Sequence, residues 1–403
     1  MKTSNGNARA LRNRDYRVFL TAHLIGSLGD SMMYLAAGIW VQKLTGSNAS
    51  AALTFLFALL PALISPLAGA IVDRIPRRRA LILLNLAGGV CVLPMFLATS
   101  ADHVWLIYAV MFFNGLVSMG IQPAQSAQLA ELADATDLPA MNGILRACLE
   151  TFKLVSPAVG AGLFVIAGPY IIVAIDSATS FIAAGLLVLL PKRDAPPRPA
   201  ESAGFIVSFL DGFKFISGDP SLRRLTVISM IFMAVAGISE SLRWSVVTEG
   251  LGASSEWMGP LQMAMGLGSI ICGLVASVLV GRLGSLRAMG IALFLFGGGS
   301  LVWTVSMPVA ILGGAVIVGA GSTMLVISAL VLLQQRTAHH VQGKVFTAFE
   351  LLTTGPQLGS IAAGAYIITI ADYRIAMAAL AVVSLSLALL AAHSGKDRRM
   401  PQL

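Results

Sequence analysis

Apolar runs of about twenty residues or more alternate along this chain with short gaps that hold almost all of its charge. A helix of that length spans the hydrocarbon layer of a bilayer, so each run is predicted to cross a membrane. The runs fall near 16–42, 49–72, 79–99, 103–130, 139–166 and 168–190, then 221–248, 255–281, 286–306, 308–334, 342–369 and 373–393. The predicted fold class is an all-α membrane protein, with twelve transmembrane helices in two pseudo-symmetric six-helix bundles.

Composition agrees. Hydrophobic residues make up 57% of the 403 and charged residues 11%, and the mean hydropathy is +0.83, which excludes an ordinary water-solvated domain. The net charge of +8 could indicate nucleic acid. The basic residues instead lie between apolar runs, without interleaved aromatics, so no nucleic-acid partner is expected. With the N-terminus inside, 22 of the 27 Lys and Arg fall at the cytoplasmic side, and only Lys43 and Arg374 at outer ends. That bias predicts both termini in the cytoplasm. The polar, basic first residues lead into a span too long for a signal-peptide core, so the first helix is expected to be retained.

Specific chemistry is sparse. Cys91, Cys148 and Cys272 sit inside apolar runs with no metal-ligand spacing, and the glycine-rich phosphate loop of ATP-driven proteins is missing. Nor is there a nucleophile elbow or a recognisable catalytic pair. No cofactor, no metal and no enzymatic activity are expected.

The one long gap divides the chain into 1–190, a linker at 191–220, and 221–403. Its first half is rich in proline. Its second half sets Phe205, Phe209, Phe213 and Phe215 against Asp211 and Lys214, the pattern of a short helix lying along the inner membrane surface. The flanking halves resemble each other. Gly143, Glu150, Pro157 and Gly160 are echoed by Gly343, Glu350, Pro356 and Gly359, with one residue deleted between the Glu and the Pro. The stretch 68–80 pairs with 276–288, where Gly281 and Arg282 replace Asp73 and Arg74. Two duplicated halves around a basic linker suit a transporter that rocks about a central site.

The hairpin GAIVDRIPRRRAL at 69–81, with Gly69, Asp73, Arg74, Arg77 and Arg78, resembles the loop motif of the major facilitator superfamily. The Arg-Asp-Tyr-Arg at 14–17, the pair Gly29 and Asp30, and the segment 123–142 resemble its drug:proton antiporters of the macrolide-efflux and enterobactin-exporter type. The resemblance implies the major facilitator fold, a monomer in a bacterial inner membrane, and alternating access. It also implies a latch, in which the Asp73 position faces a helix N-terminus, favourable for a carboxylate, and Arg77 pairs with an acid ending the fourth span, Glu131 or Asp134. Two departures stand out. Pro76 replaces a glycine, and the antiport pattern of the fifth span survives as Gly143, Pro157, Gly160 and Gly162, with Phe152 and Ser156 in place of glycines. Gly355, Pro356 and Gly359 form the matching helix-packing pattern in the eleventh span.

Four acids lie at membrane depth: Asp30, Glu150, Glu240 and Glu350. An aspartate at a helix centre costs about 2.5 to 3.5 kcal/mol, so each must face a cavity, pair with a base or carry a proton. Arg146 and Lys153 flank Glu150 at helical spacing, so an internal ion-pair cluster accounts for it as well as a proton site does. Arg243 stands similarly to Glu240. Asp30 and Glu350 have no base within one turn and are the stronger proton candidates. Gln122, Gln125, Gln128 and Glu131 recur every three residues, lining either a substrate path or a polar seam between helices. Asp176, in the sixth span, is expected to be peripheral and to hydrogen-bond within its bundle. The expected partners are protons, the lipid bilayer and a small amphipathic compound. Siderophore or lysophospholipid transport, or a receptor or scaffold that does not transport, are the alternative readings.

Overall fold

The computed structural model describes residues 11–64, 75–133, 137–191, 205–337 and 341–393. Within them every regular element is helical, and no strand occurs. Each of the twelve expected spans holds a helix. The first half carries α1 (Arg14–Thr45), α2 (Asn48–Leu59, continued by a 3-10 turn to Ile64), α3 (Arg77–Cys91), α4 (Val104–Leu132), α5 (Leu138–Ala167) and α6 (Pro169–Val188). After α7 (Phe205–Gly218) come α8 (Pro220–Ser245), α9 (Met258–Leu283), α10 (Ser285–Val302), α11 (Pro308–Arg336), α12 (Gln342–Ile370) and α13 (Tyr373–His393). Nine of the described helices are long and apolar enough to cross a membrane on length and composition alone.

Local sequence sets the helix ends. The Asn13 side chain accepts from the Tyr16 N–H at the start of α1, and Gly46 closes it in the left-handed conformation at φ 68°. Gly46 has no Cβ to clash there. Ser47 caps α2 by accepting from Ser50 N–H at 3.2 Å. Asp219 caps α8 through the N–H groups of Ser221 and Leu222, with Pro220 in the first turn, where no donor is needed.

The chain forms two compact units that meet in sequence at Ser202 and Ala203. In the first, α1 packs on α5 and α6, and α3 on α4 and α6. Its core at one end gathers Tyr16, Phe19, Leu81, Leu129, Met141 and Leu187. The Tyr16 hydroxyl donates to the Met141 carbonyl at 2.7 Å, so the Arg-Asp-Tyr-Arg segment ties the start of α1 to the start of α5. In the second unit, α11 packs on α9 and α10, and α8 on α12. With no water to expel, membrane helices gain from close backbone approach at small residues. A Cβ on Gly268 of α9 would collide with the Val316 carbonyl oxygen, and one on Gly319 of α11 with that of Met265.

The short linker helix belongs to the second unit. Gly212 of α7 lies against the Lys344 carbonyl and 2.8 Å, for an added Cβ, from the Ala348 side chain of α12. The Lys344 ammonium donates to Asp211 at 2.9 Å. That hydrogen bond, and then the lysine charge, hold the Asp211 carboxyl below its ordinary range, so the contact persists at neutral pH and is lost as the pH falls and Asp211 protonates. Val207, Leu210 and Phe213 remain exposed on α7.

Some expected packing positions differ. Gly160 does approach α1, an added Cβ lying 3.0 Å from the Met32 Cα. Gly143, Gly355 and Gly359 would meet no atom within 4 Å. Among the described residues, no backbone comes close enough there to require a missing side chain. Pro157 and Pro356 both sit inside their helices.

Replacing Gly268 with Leu forces α9 and α11 apart, at a cost of about 1–3 kcal/mol. Its thermal midpoint in detergent is expected to drop by several degrees. The same change at Gly273, which faces open space, is expected to leave the midpoint unmoved.

Candidate functional site

The polar interior of the first unit is built where α1 crosses α6. A Cβ on Gly26 would lie 3.5 Å from the Ala183 side chain and 3.3 Å from the Asn85 Oδ1 of α3. One on Gly29 would collide with the Thr179 hydroxyl and stand 2.7 Å from a carboxylate oxygen of Asp176. Glycine spacing on α1 therefore presses it onto the polar stretch 176–180 of α6, and Asp30 follows directly.

Asp176 is 1% exposed, and neither of its carboxylate oxygens has a hydrogen-bond partner. Its neighbours spend their hydroxyls elsewhere: Ser177 donates to the Gly89 carbonyl at 2.8 Å, and Thr179 to the carbonyl of Asp176 itself at 2.9 Å. The charged group acting on Asp176 is Asp30, beside which stands the Asn114 amide of α4. Two turns earlier on α1, His23 is 7% exposed with its Nε2 unpartnered. Its ring meets the Phe19 edge at 4.4 Å.

The hydrogen bonding expected of Asp176 is not found among the described residues: its carboxylate is buried beside Gly29 of α1, with Asp30 as its charged neighbour. Sequence reading gave Asp176 a structural role only, although a carboxylate in an otherwise apolar span was the signal for a site.

The second unit treats its acid differently. Glu240 is ion-paired with Arg243 one turn later on α8, and that arginine is 3% exposed. Its other nitrogen donates to Gln262 of α9 at 3.1 Å and touches the Met265 sulfur at 3.0 Å. A cation buried in this way offsets the carboxylate charge. Glu350 is exposed on α12 and makes no ion pair among the described residues. Arg146 is exposed on α5, and the side chain of Glu150 lies outside those described.

Of the latch, Gly69, Asp73, Arg74 and Asp134 fall outside the described residues. Arg77, in the first turn of α3, pairs with Glu131 near the end of α4. The glutamine stripe does not present one surface: Gln122 is exposed, while Gln125 and Gln128 are buried with an unpartnered Nε2 and Oε1 respectively. A three-residue step falls short of a 3.6-residue turn, so the stripe winds from the surface into the bundle.

A family model described as Major Facilitator Superfamily matches residues 19–355. The chain belongs to this superfamily: it is a multi-pass membrane transporter and not an enzyme. Among curated proteins it is 22% identical over 369 residues to "Uncharacterized MFS-type transporter YfiS" of Bacillus subtilis (strain 168), covering 86% of this chain and 84% of the relative. It is 24% identical over 339 residues to "Putative bacilysin exporter BacE" of Bacillus amyloliquefaciens, covering 79% of each. The crystal structure of the nucleoside transporter NupG shares the fold at a TM-score of 0.74 and 13% identity, with 96% of this chain and 100% of that one aligned.

The Arg77–Glu131 pair is testable by charge reversal. Arg77→Glu and Glu131→Arg singly are each expected to lower the thermal midpoint by about 2–4 °C, and the double swap to recover part of that loss. Additive losses in the swap would show that the two side chains do not interact.

Proposed function

We propose that the protein is a proton-coupled exporter of small amphipathic compounds, working by alternating access, with Asp30 and Asp176 holding the coupling proton. The observation that carries this reading is the contrast between the two units. The acid of the second is matched by Arg243. The acids of the first face each other, and Asp176 has no donor among the described residues. A buried carboxylate with neither a hydrogen-bond donor nor a cation, set beside a second carboxylate, is a place where a proton can be held and released as water gains access. Such a site takes up protons when open to the outer side and gives them up when open to the cytoplasm. Net transport of substrate in the opposite direction can be driven by that cycle.

The direction of transport draws on BacE, a relative named for export. The Arg77–Glu131 contact suits the latch that the superfamily resemblance implies, closing the cytoplasmic side while the transporter faces outward. The cargo class remains broad, and a compound panel should include siderophores and lysophospholipids beside cationic dyes.

The test is efflux from proteoliposomes under an imposed proton gradient. Wild-type protein is expected to drive net efflux of substrate only when the gradient is present, and to exchange substrate across the membrane without it. Asp30→Asn and Asp176→Asn are each expected to abolish gradient-driven efflux while preserving substrate exchange without a gradient, which shows that the fold and the substrate site survive. Efflux indifferent to the gradient would remove proton coupling. Gradient-driven efflux intact in both variants would remove this pair as its seat.

A further inference from the structure

At one end of the second unit, three membrane helices leave a crevice of about 360 Å³. Its walls are Val227, Ile228 and Ile231 on α8, Leu286 on α10, and Leu390 and Ala391 on α13. Arg223 and Arg224, in the first turn of α8, complete it. The walls come from the first half of α8, the first turn of α10 and the end of α13, so the crevice sits toward the end that the distribution of Lys and Arg assigns to the cytoplasm.

Both arginines are exposed, and neither makes a side-chain ion pair or hydrogen bond among the described residues. Arg77, Arg243 and Lys344, by contrast, are matched by Glu131, Glu240 and Asp211. Asp219, the acid nearest in sequence, is occupied in capping α8 and lies 3.8 Å from Arg336.

The internal duplication provides a control within the molecule. Position 286 corresponds to position 78 of the first half, and there the residue is arginine. Arg78 folds onto the end of α6, its Nε donating to the Leu187 carbonyl at 3.1 Å and its Nη2 to the Val188 carbonyl at 2.5 Å. Those carbonyls lie at the end of α6, where helical pairing runs out and Leu187 is reached by the Leu190 N–H at 3.3 Å, so in the first half the protein's own cation settles on the adjoining helix end. In the second half Leu286 leaves the corresponding place apolar, and the cations stand on α8 at the edge of an open crevice.

An apolar slot between membrane helices, with two unmatched guanidinium groups at its cytoplasmic end, is complementary to one kind of molecule. A soluble anion would gain nothing from the apolar walls, and a zwitterionic lipid brings no net charge to the arginines. We infer that the crevice binds an anionic glycerophospholipid of the cytoplasmic leaflet. Arg223 and Arg224 hold the phosphate, and an acyl chain lies along Ile228, Ile231 and Leu390. Arginine suits this role because its planar fork bonds phosphate oxygens in pairs, and basic sites between helices at the cytoplasmic face recognise lipid headgroups in this way. The inference is independent of proton coupling.

The experiment is native mass spectrometry of the full-length protein in mild detergent, with phosphatidylglycerol and phosphatidylcholine of matched chains added at equal concentration. Phosphatidylglycerol adducts are expected to exceed phosphatidylcholine adducts on the order of tenfold. The surface variant Arg223→Gln/Arg224→Gln is expected to lose that preference. Ala391→Trp, which fills the crevice and leaves the charges in place, is expected to lose it too. Unchanged thermal midpoints without added lipid verify folding, and the surface variant alone decides the charge requirement if the tryptophan proves unstable. Equal binding of the two lipids by wild-type protein would overturn the inference, as would a preference that survives either folded variant. Excess glycerol 3-phosphate is expected to leave the adduct in place; its displacement would identify a soluble anion instead.

Discussion

Hydrocarbon solvates neither charge nor an unpaired polar group, and the organisation of this protein follows from that constraint. Several cations within or beside the spans find a partner from the protein itself. Arg243 is held by Glu240 and Gln262, Arg77 by Glu131, and Arg78 by the carbonyls ending α6. Against that background the groups left unmatched become informative. Some of them stand at sites with a shape of their own: a buried carboxylate beside another carboxylate in one unit, and two exposed guanidinium groups beside an apolar crevice in the other.

The duplication lets the two halves be compared position by position. Each has an acid on its first spanning helix, Asp30 on α1 and Glu240 on α8. One is set beside a second acid and the other beside an arginine. Positions 78 and 286 diverge in the same manner, an arginine bound to the protein in one half and a leucine lining an open slot in the other. The architecture is repeated while the charge distribution is not. The proposed proton coupling rests on such a difference, since the halves share a frame but only some positions need to carry a proton.

Much of the fold was legible in the sequence because membrane helices advertise themselves by length. Every run of apolar residues predicted as a span contains a helix, and the linker phenylalanines do form α7. The pairing of Arg77 with an acid at the end of α4 was anticipated from the family's loop pattern, leaving only the choice between Glu131 and Asp134. Glu240 and Arg243 were legible as neighbours because three residues on one helix place side chains on the same face. Glycines were a poorer guide: of the expected packing positions, Gly160 contacts another helix, while Gly143, Gly355 and Gly359 face open space.

The sequence by itself determined the solvent of this chain, its helical spans, its duplicated plan and its superfamily, because all of these rest on composition, period and local spacing. Only the tertiary structure decided which polar groups meet. Asp176 and Asp30 are 146 positions apart, on helices apolar around most of their circumference, so neither pattern nor spacing discloses the facing side. Their meeting depends on how closely and at what rotation α1 lies on α6, which Gly26 and Gly29 set through contacts with the other helix. The crevice beside Arg223 likewise exists only where three helices end together.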